Sequence, residues 1–161
     1  MFAVEHSGVV PDILTLAKSL GSGMPIGAMV ARPEVCNLPP GSHGSTFAGS
    51  PVSCAAALAT LDVLVEECLA DRARDLGVRA LERLGDIAQG SDRVREVRGL
   101  GLMLGIELRE RAGKYLSALL DRGVLVIPAG ATVIRLLPPL VIAEHELDQG
   151  LDAIGEVLAN G

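Results

Sequence analysis

The chain has 161 residues, room for one ordinary domain or for one domain and part of another. Hydrophobic residues make up 49% and aromatics only 2%, so any core must be built from Leu, Val, Ile and Ala. A net charge of -6 and a pI near 5.0 argue against nucleic acid or an anionic membrane surface as partner. Asp12–Ala17 reads as a short buried strand, and Met24–Ala31, bounded by Gly23 and Arg32-Pro33, as a second. Residues 36–50 read as loop. Pro51 opens a helix running to about Cys68, with Ser50 as N-cap and proline at the first helical position. A second helix follows, with Leu69, Ala73, Leu76, Ala80, Leu84 and Ile87 at helical spacing.

From Arg93 the pattern changes. Val94–Val97 and Leu102–Leu108 are strand-like, separated by Gly99 and Gly101. Ala112–Arg122 is a short helix ended by Gly123. Val124–Ile127 and Val133–Leu137 are two further strands. Glu144–Ala159 is a closing helix with Leu147, Leu151, Ile154 and Leu158 on one face. This order predicts a two-layer α+β unit, divided from the first part within the second helix.

Residues 35–61 carry no Asp, Glu, Lys or Arg, yet Pro39, Pro40, Gly41, Gly44, Gly49 and Pro51 break the run, so no membrane span is expected. The N-terminus has no charged leader with an apolar core, which predicts no secretory signal. The three cysteines, Cys36, Cys54 and Cys68, form no C-x-x-C. They read as reduced thiols of a cytoplasmic protein, Cys54 and Cys68 packed inside helices. No metal-ligand set is read.

Three windows carry chemistry. Lys18 is one of two lysines, the other being Lys114, and it lies between an apolar run and Gly21-Ser-Gly23-Met-Pro-Ile-Gly27. Burial there favours a neutral amine able to form a Schiff base, although a strand-end lysine can equally be a solvating charge. Gly41-Ser-His-Gly-Ser45-Thr46-Phe-Ala-Gly49 offers hydroxyls and amides just before a helix N-terminus, which suits a phosphate or an ordinary cap. Arg98, before Gly99, can present its fork to a carboxylate or pair with Glu96. Arg135, between Ile134 and Leu136, reads as an outward-facing strand residue.

Taken in order, the lysine with its glycine loop, His43-Gly-Ser-Thr-Phe-Ala-Gly-Ser-Pro51, Arg98-Gly-Leu-Gly-Leu-Met-Leu-Gly-Ile-Glu107 and Val133-Ile-Arg-Leu-Leu-Pro-Pro-Leu140 closely resemble the class III, pyridoxal-phosphate-dependent aminotransferases. Within them the chain looks most like the acetylornithine type, with the ornithine and 4-aminobutyrate types as close relatives. The resemblance implies an α/β chain, the C-terminal part of a fold type I transferase. Residues 1–70 would be an incomplete large domain with the cofactor lysine, and 71–161 a small C-terminal α+β domain. It implies that Lys18 holds pyridoxal 5'-phosphate and moves the proton. Ser45 and Thr46 would serve the cofactor phosphate, Thr46 that of the neighbouring subunit in a homodimer, and Arg98 would clamp a substrate carboxylate. Partners would be a small amino donor and a 2-oxo acid.

Several family features are missing from this chain: a glycine-rich phosphate loop, a ring-stacking aromatic, and the Asp-Glu-x-Gln segment whose aspartate keeps the cofactor ring protonated. Ser22 and Ala48 stand where glycine is usual, and Ser50 where asparagine is usual. Ala143 stands at a cap position that Ser or Thr often fills, at ~1 kcal/mol. Two expectations follow. The parent activity is amino transfer from N-acetylornithine, or from ornithine or 4-aminobutyrate, to 2-oxoglutarate. Alternatively the chain is a non-catalytic fragment that leaves strand edges and apolar surface bare.

Overall fold

The computed structural model describes residues 1–160 and divides into two compact units, Met1–Cys68 and Leu69–Gly161. Its two sheets are both antiparallel. In the first unit β1 (Ile13–Leu16) pairs with β2 (Ala28–Ala31), Ile13 opposite Ala31 and Leu16 opposite Ala28. Arg32 closes the open end, its N–H on the Asp12 carbonyl and its guanidinium 3.3 Å from the Asp12 carboxylate.

Both strands are shorter than the sequence suggests. The Met24 N–H is spent on a turn to the Gly21 carbonyl, and Pro25 has no N–H to give, so the second strand starts only at Ala28. Nor is the first strand buried: Ile13 is 52% exposed. A two-stranded ribbon has no second layer to cover it.

Helix α1 (Pro51–Glu66) begins with proline at its first position, as expected, but the Ser50 side chain makes no cap hydrogen bond. It stops short of Cys68, which adopts a left-handed φ of +50° and ends the helical path. Cys68 is therefore exposed rather than packed, and Cys54 is half-buried. Helix α1 is apolar on all sides, with Val52, Leu58, Val63 and Val65 exposed. Such a helix is built for burial all round. Only Gly21, Ser53 and Ala57 are buried in this unit.

The second unit has the core. Strands β3 (Val94–Leu100), β4 (Met103–Leu108), β5 (Ile127–Pro128) and β6 (Val133–Leu136) form a sheet in the order β3-β4-β6-β5. Helices α2 (Leu69–Gln89), α3 (Gly113–Asp121) and α4 (Glu144–Asn160) share one hydrophobic core with Val94, Leu104, Ile106, Leu108, Ile134 and Leu136. Those strand residues alternate, so the helices cover one face and the other stays open. The expected stripe of α2 is buried from Leu69 to Leu84, with Ile87 partly so, and that of α4 is buried throughout.

The expected strand 124–127 is reduced to Ile127–Pro128. Gly123 turns at φ +77°, and the Val124 N–H goes back to the Leu119 carbonyl to close α3. At the α4 start, Ala143 supplies no side-chain cap, but Glu146 reaches back to accept the Ala143 N–H at 3.0 Å, half of a capping box. Arg79 and Arg83 tie α2 to α4 through Glu144 (2.6 Å) and Asp148 (3.0 Å).

Gly77 sets how closely α2 lies on the β3–β4 turn. A Cβ built there would sit 2.2 Å from the Gly101 carbonyl oxygen, and Gly101 itself turns at φ +54°. Two effects oppose each other in Gly77→Ala. Helix propensity gains ~1 kcal/mol, but a methyl forced against backbone cannot be relieved by a side-chain rotation. We expect a net loss of about 2 kcal/mol, lowering the thermal midpoint by roughly 10 °C. An unchanged or raised midpoint would show that the contact is slack.

Candidate functional site

Lys18 follows β1 after a single extended residue, Ala17, and adopts a left-handed φ of +58°. It opens one 3-10 turn, Lys18–Gly21, after which Ser22 (φ +45°) and Gly23 (φ +111°) are again positive. Left-handed backbone is unfavourable for lysine and serine, and it persists where surrounding contacts impose it. Here the turn packs on α1. Gly21 is buried, and a Cβ on it would be 2.9 Å from Ile26 Cγ2. The Ser22 hydroxyl lies 2.9 Å from that of Thr60, which donates to the Ala56 carbonyl at 2.8 Å. The φ of Ser22 explains why glycine suits this position, and the Thr60 contact explains what serine gains.

The Lys18 side chain is exposed, as a solvating strand-end charge would be and a desolvated amine would not. The β1–β2 ribbon that leads into it has no buried residue.

Ser45 and Thr46 lie in the exposed loop that leads into α1, and their hydroxyls have no hydrogen-bond partner among the described residues. The Ser45 carbonyl accepts the Ala48 N–H and the Phe47 carbonyl the Ser50 N–H, so the loop is a succession of turns. The Thr60 anchor of the lysine turn lies roughly 14 Å along α1 from Pro51.

Arg98 is on the open face of the second unit's sheet. It stands opposite Gly105 on β4, which stands opposite Arg135 on β6. These three residues thus share one row, with two guanidinium groups flanking a position that has no side chain. The arginines differ in what they already hold. Arg98 Nη1 donates to Glu107 at 2.7 Å and Glu96 at 3.1 Å, and the Glu107 hydrogen bond, first among the causes, raises its pKa further. Arg135 makes no ion pair among the described residues, and its Nε is buried without a partner. Arg135 faces outward between the buried Ile134 and Leu136, as expected; the local sequence does not announce the pairing of β4 with β6 that sets it in one row with Arg98.

Among the described residues no group of three or more His, Cys, Asp or Glu side chains is disposed to hold a metal ion, and no helix is long and apolar enough to cross a membrane.

Residues 1–158 match the sequence model of the family described as Aminotransferase class-III. The chain is 45% identical over 161 residues to an acetylornithine aminotransferase of Methanothermobacter thermautotrophicus, covering 99% of this chain and 41% of that protein. It is 48% identical over 160 residues to an ornithine aminotransferase of an Exiguobacterium species, covering 98% and 40%. The crystal structure of an acetylornithine aminotransferase from Elizabethkingia anophelis superposes with a TM-score of 0.92 at 37% identity, covering 99% of this chain and 41% of that one. The chain therefore spans about two-fifths of the length of the relatives it matches.

The Ser22–Thr60 contact is expected to hold the lysine turn. Thr60→Val keeps the shape and removes the hydroxyl, a loss of about 0.7 kcal/mol. Amide exchange at Ser22 and Met24, measured by NMR, should quicken by about threefold. Unchanged exchange at both would mean that the turn is held without Thr60.

Proposed function

The chain belongs to the class-III aminotransferases, and we propose that it carries the lysine-bearing part and the small C-terminal domain of a pyridoxal-phosphate-dependent transaminase. In this reading the amino group passes from N-acetylornithine to 2-oxoglutarate. Ornithine and 4-aminobutyrate are the alternative donors. The stretch Ile127–Arg135 inclines us to acetylornithine. Residues 1–70 are the cofactor-binding portion and 71–161 the C-terminal domain. The three free thiols suit a cytoplasmic setting.

The observation that carries the reading is Lys18 itself, held at φ +58° at the end of β1 in a turn anchored to α1. Strain of this kind is concentrated at functional positions. The residues suit the cofactor's groups: Lys18 offers a primary amine to its aldehyde, and the unpartnered hydroxyls of Ser45 and Thr46 offer donors to its phosphate before a helix N-terminus. When bound, pyridoxal phosphate supplies the electron sink that lets a substrate Cα lose its proton. Lys18 Nζ would carry that proton. Thr46 would serve a second copy of the chain, a reading supported by the roughly 14 Å of α1 between the lysine anchor and the loop.

Carboxylate recognition belongs to the row Arg98–Gly105–Arg135. Arg98 is a candidate clamp already engaged by Glu96 and Glu107. Arg135 is the stronger first contact, because its guanidinium makes no ion pair among the described residues, whereas that of Arg98 already makes two.

A second reading, a non-catalytic piece, is favoured by the exposure of Lys18 and of the apolar faces of α1. Both readings agree that these 161 residues alone should give no glutamate from N-acetylornithine and 2-oxoglutarate; measurable turnover would refute the view that Lys18 needs a wall this chain does not supply.

They separate on labelling with pyridoxal phosphate, borohydride reduction and peptide mapping. The Lys114 ammonium is engaged by Glu110 at 3.4 Å and lies over the Tyr115 ring at 4.9 Å, whereas Lys18 makes no ion pair among the described residues. Strong preference for Lys18 is expected. Equal labelling of the two lysines would leave only the non-catalytic reading.

A further inference from the structure

Glu107 lies two residues beyond Gly105 on β4, so it faces the open side of the sheet together with Arg98 and Arg135. It is a diagonal neighbour of both: Gly105 pairs with Arg98 on one side and Arg135 on the other, while Glu107 itself pairs with Glu96 and Val133. Long side chains reach across such diagonals, so either arginine is a possible partner. In the structure β3 has taken the carboxylate entirely. Arg95 Nη1 donates to Oε1 at 3.2 Å, and Arg98 Nη1 to Oε2 at 2.7 Å. Only 20% of the Glu107 side chain remains exposed.

A break in the register brings the second arginine in. Between Val94 and Glu96 the β3–β4 pairing slips by one residue, leaving Arg95 as the extra residue of a bulge. Val94 can then stay on the core side while Glu96 and Arg98 face outward. A bulge that re-aims side chains in this way is a built feature.

The charges on this face do not balance. Arg95, Arg98 and Arg135 stand against Glu96 and Glu107, one carboxylate short, and the unmatched cation is Arg135. We propose that Arg95 and Arg98 are positioning residues that hold Glu107 on the β3 side, and so keep the Arg135 guanidinium open to a substrate carboxylate. The inference rests on the reading of Arg135 as the carboxylate receiver. It gives the Arg95–Glu107–Arg98 cluster a role that neither packing nor direct substrate contact requires. Were Glu107 released, its nearest free cation would be Arg135, and an internal carboxylate would occupy the place meant for the substrate.

The test uses the full 161-residue chain, labelled with nitrogen-15, and glutarate as a dicarboxylate probe, read at the Nε–Hε resonance of Arg135. In the unsubstituted chain glutarate should shift that resonance. The pair Arg95→Gln with Arg98→Gln should weaken the response by about fivefold. Adding Glu107→Gln to that pair should restore it to within about twofold of the starting affinity. Rescue is the decisive result when Glu107→Gln gives it and Glu96→Gln does not, because both remove one negative charge but only Glu107 is a diagonal neighbour of Arg135.

Unchanged glutarate binding in the double variant would overturn the proposal, as would a loss that Glu107→Gln fails to repair; the latter would make Arg98 itself the clamp. If the double variant does not fold by circular dichroism, Arg98→Gln alone and its pair with Glu107→Gln read the same rescue. The Arg135 reading is checked separately by Arg135→Ala, followed at the other arginine Nε signals: undiminished glutarate binding there would sink that reading, whatever Glu107 does.

Discussion

The second unit depends on a bare backbone contact. Gly77 of α2 meets Gly101 of the β3–β4 turn where a Cβ would stand 2.2 Å from the carbonyl oxygen. With no side chain between them, α2 lies flat enough to bury Ala73, Leu76, Ala80 and Leu84 against the same sheet face that receives α3 and α4. The Arg79 and Arg83 ion pairs to α4 are surface features and add little beside that burial. A sheet fixed on one side by three helices can hold side chains in register on the other. The row Arg98–Gly105–Arg135 therefore owes its geometry to packing on the face it does not share.

The first unit follows a different logic. It has three buried residues and a helix apolar on every side, yet it holds the lysine and the two hydroxyl side chains. Its order is local: a turn anchored by Ser22 and Thr60, a short ribbon, and a loop of successive turns. Lys18 is held in a strained backbone but is not enclosed. The groups proposed for covalent attachment and phosphate binding are thus present as side chains, without the low-dielectric surroundings that give an amine or a phosphate contact its strength.

How much of this the sequence disclosed varies with the range of the interaction. The stripes of α2 and α4 were legible because a 3.6-residue period is written locally in Leu69–Ile87 and Leu147–Leu158. Gly77 sat inside that stripe without signalling its purpose, since its partner Gly101 lies across the fold. The ends of strands and helices were blurred where turn hydrogen bonds took the N–H groups, at Met24 and Val124, and where Cys68 turned left-handed. Arg98 was legible as a chemical group but not as a member of a row, because its relation to Arg135 passes through two strand pairings. The sequence left Lys18 open between a desolvated amine and a solvating strand-end charge, because whether an apolar wall exists depends on what else packs there.

The central claim is that a self-sufficient C-terminal unit carries the carboxylate face while the lysine-bearing unit lacks a core of its own. Amide hydrogen exchange of the intact chain, resolved by peptide mass spectrometry, addresses it directly. Peptides from α2, β4 and α4 should exchange slowly and together, at the rate set by global unfolding, while those from residues 1–68 reach full exchange orders of magnitude sooner. Comparable protection across both units would contradict the claim and would mean that the residues around Lys18 form a stable structure by themselves.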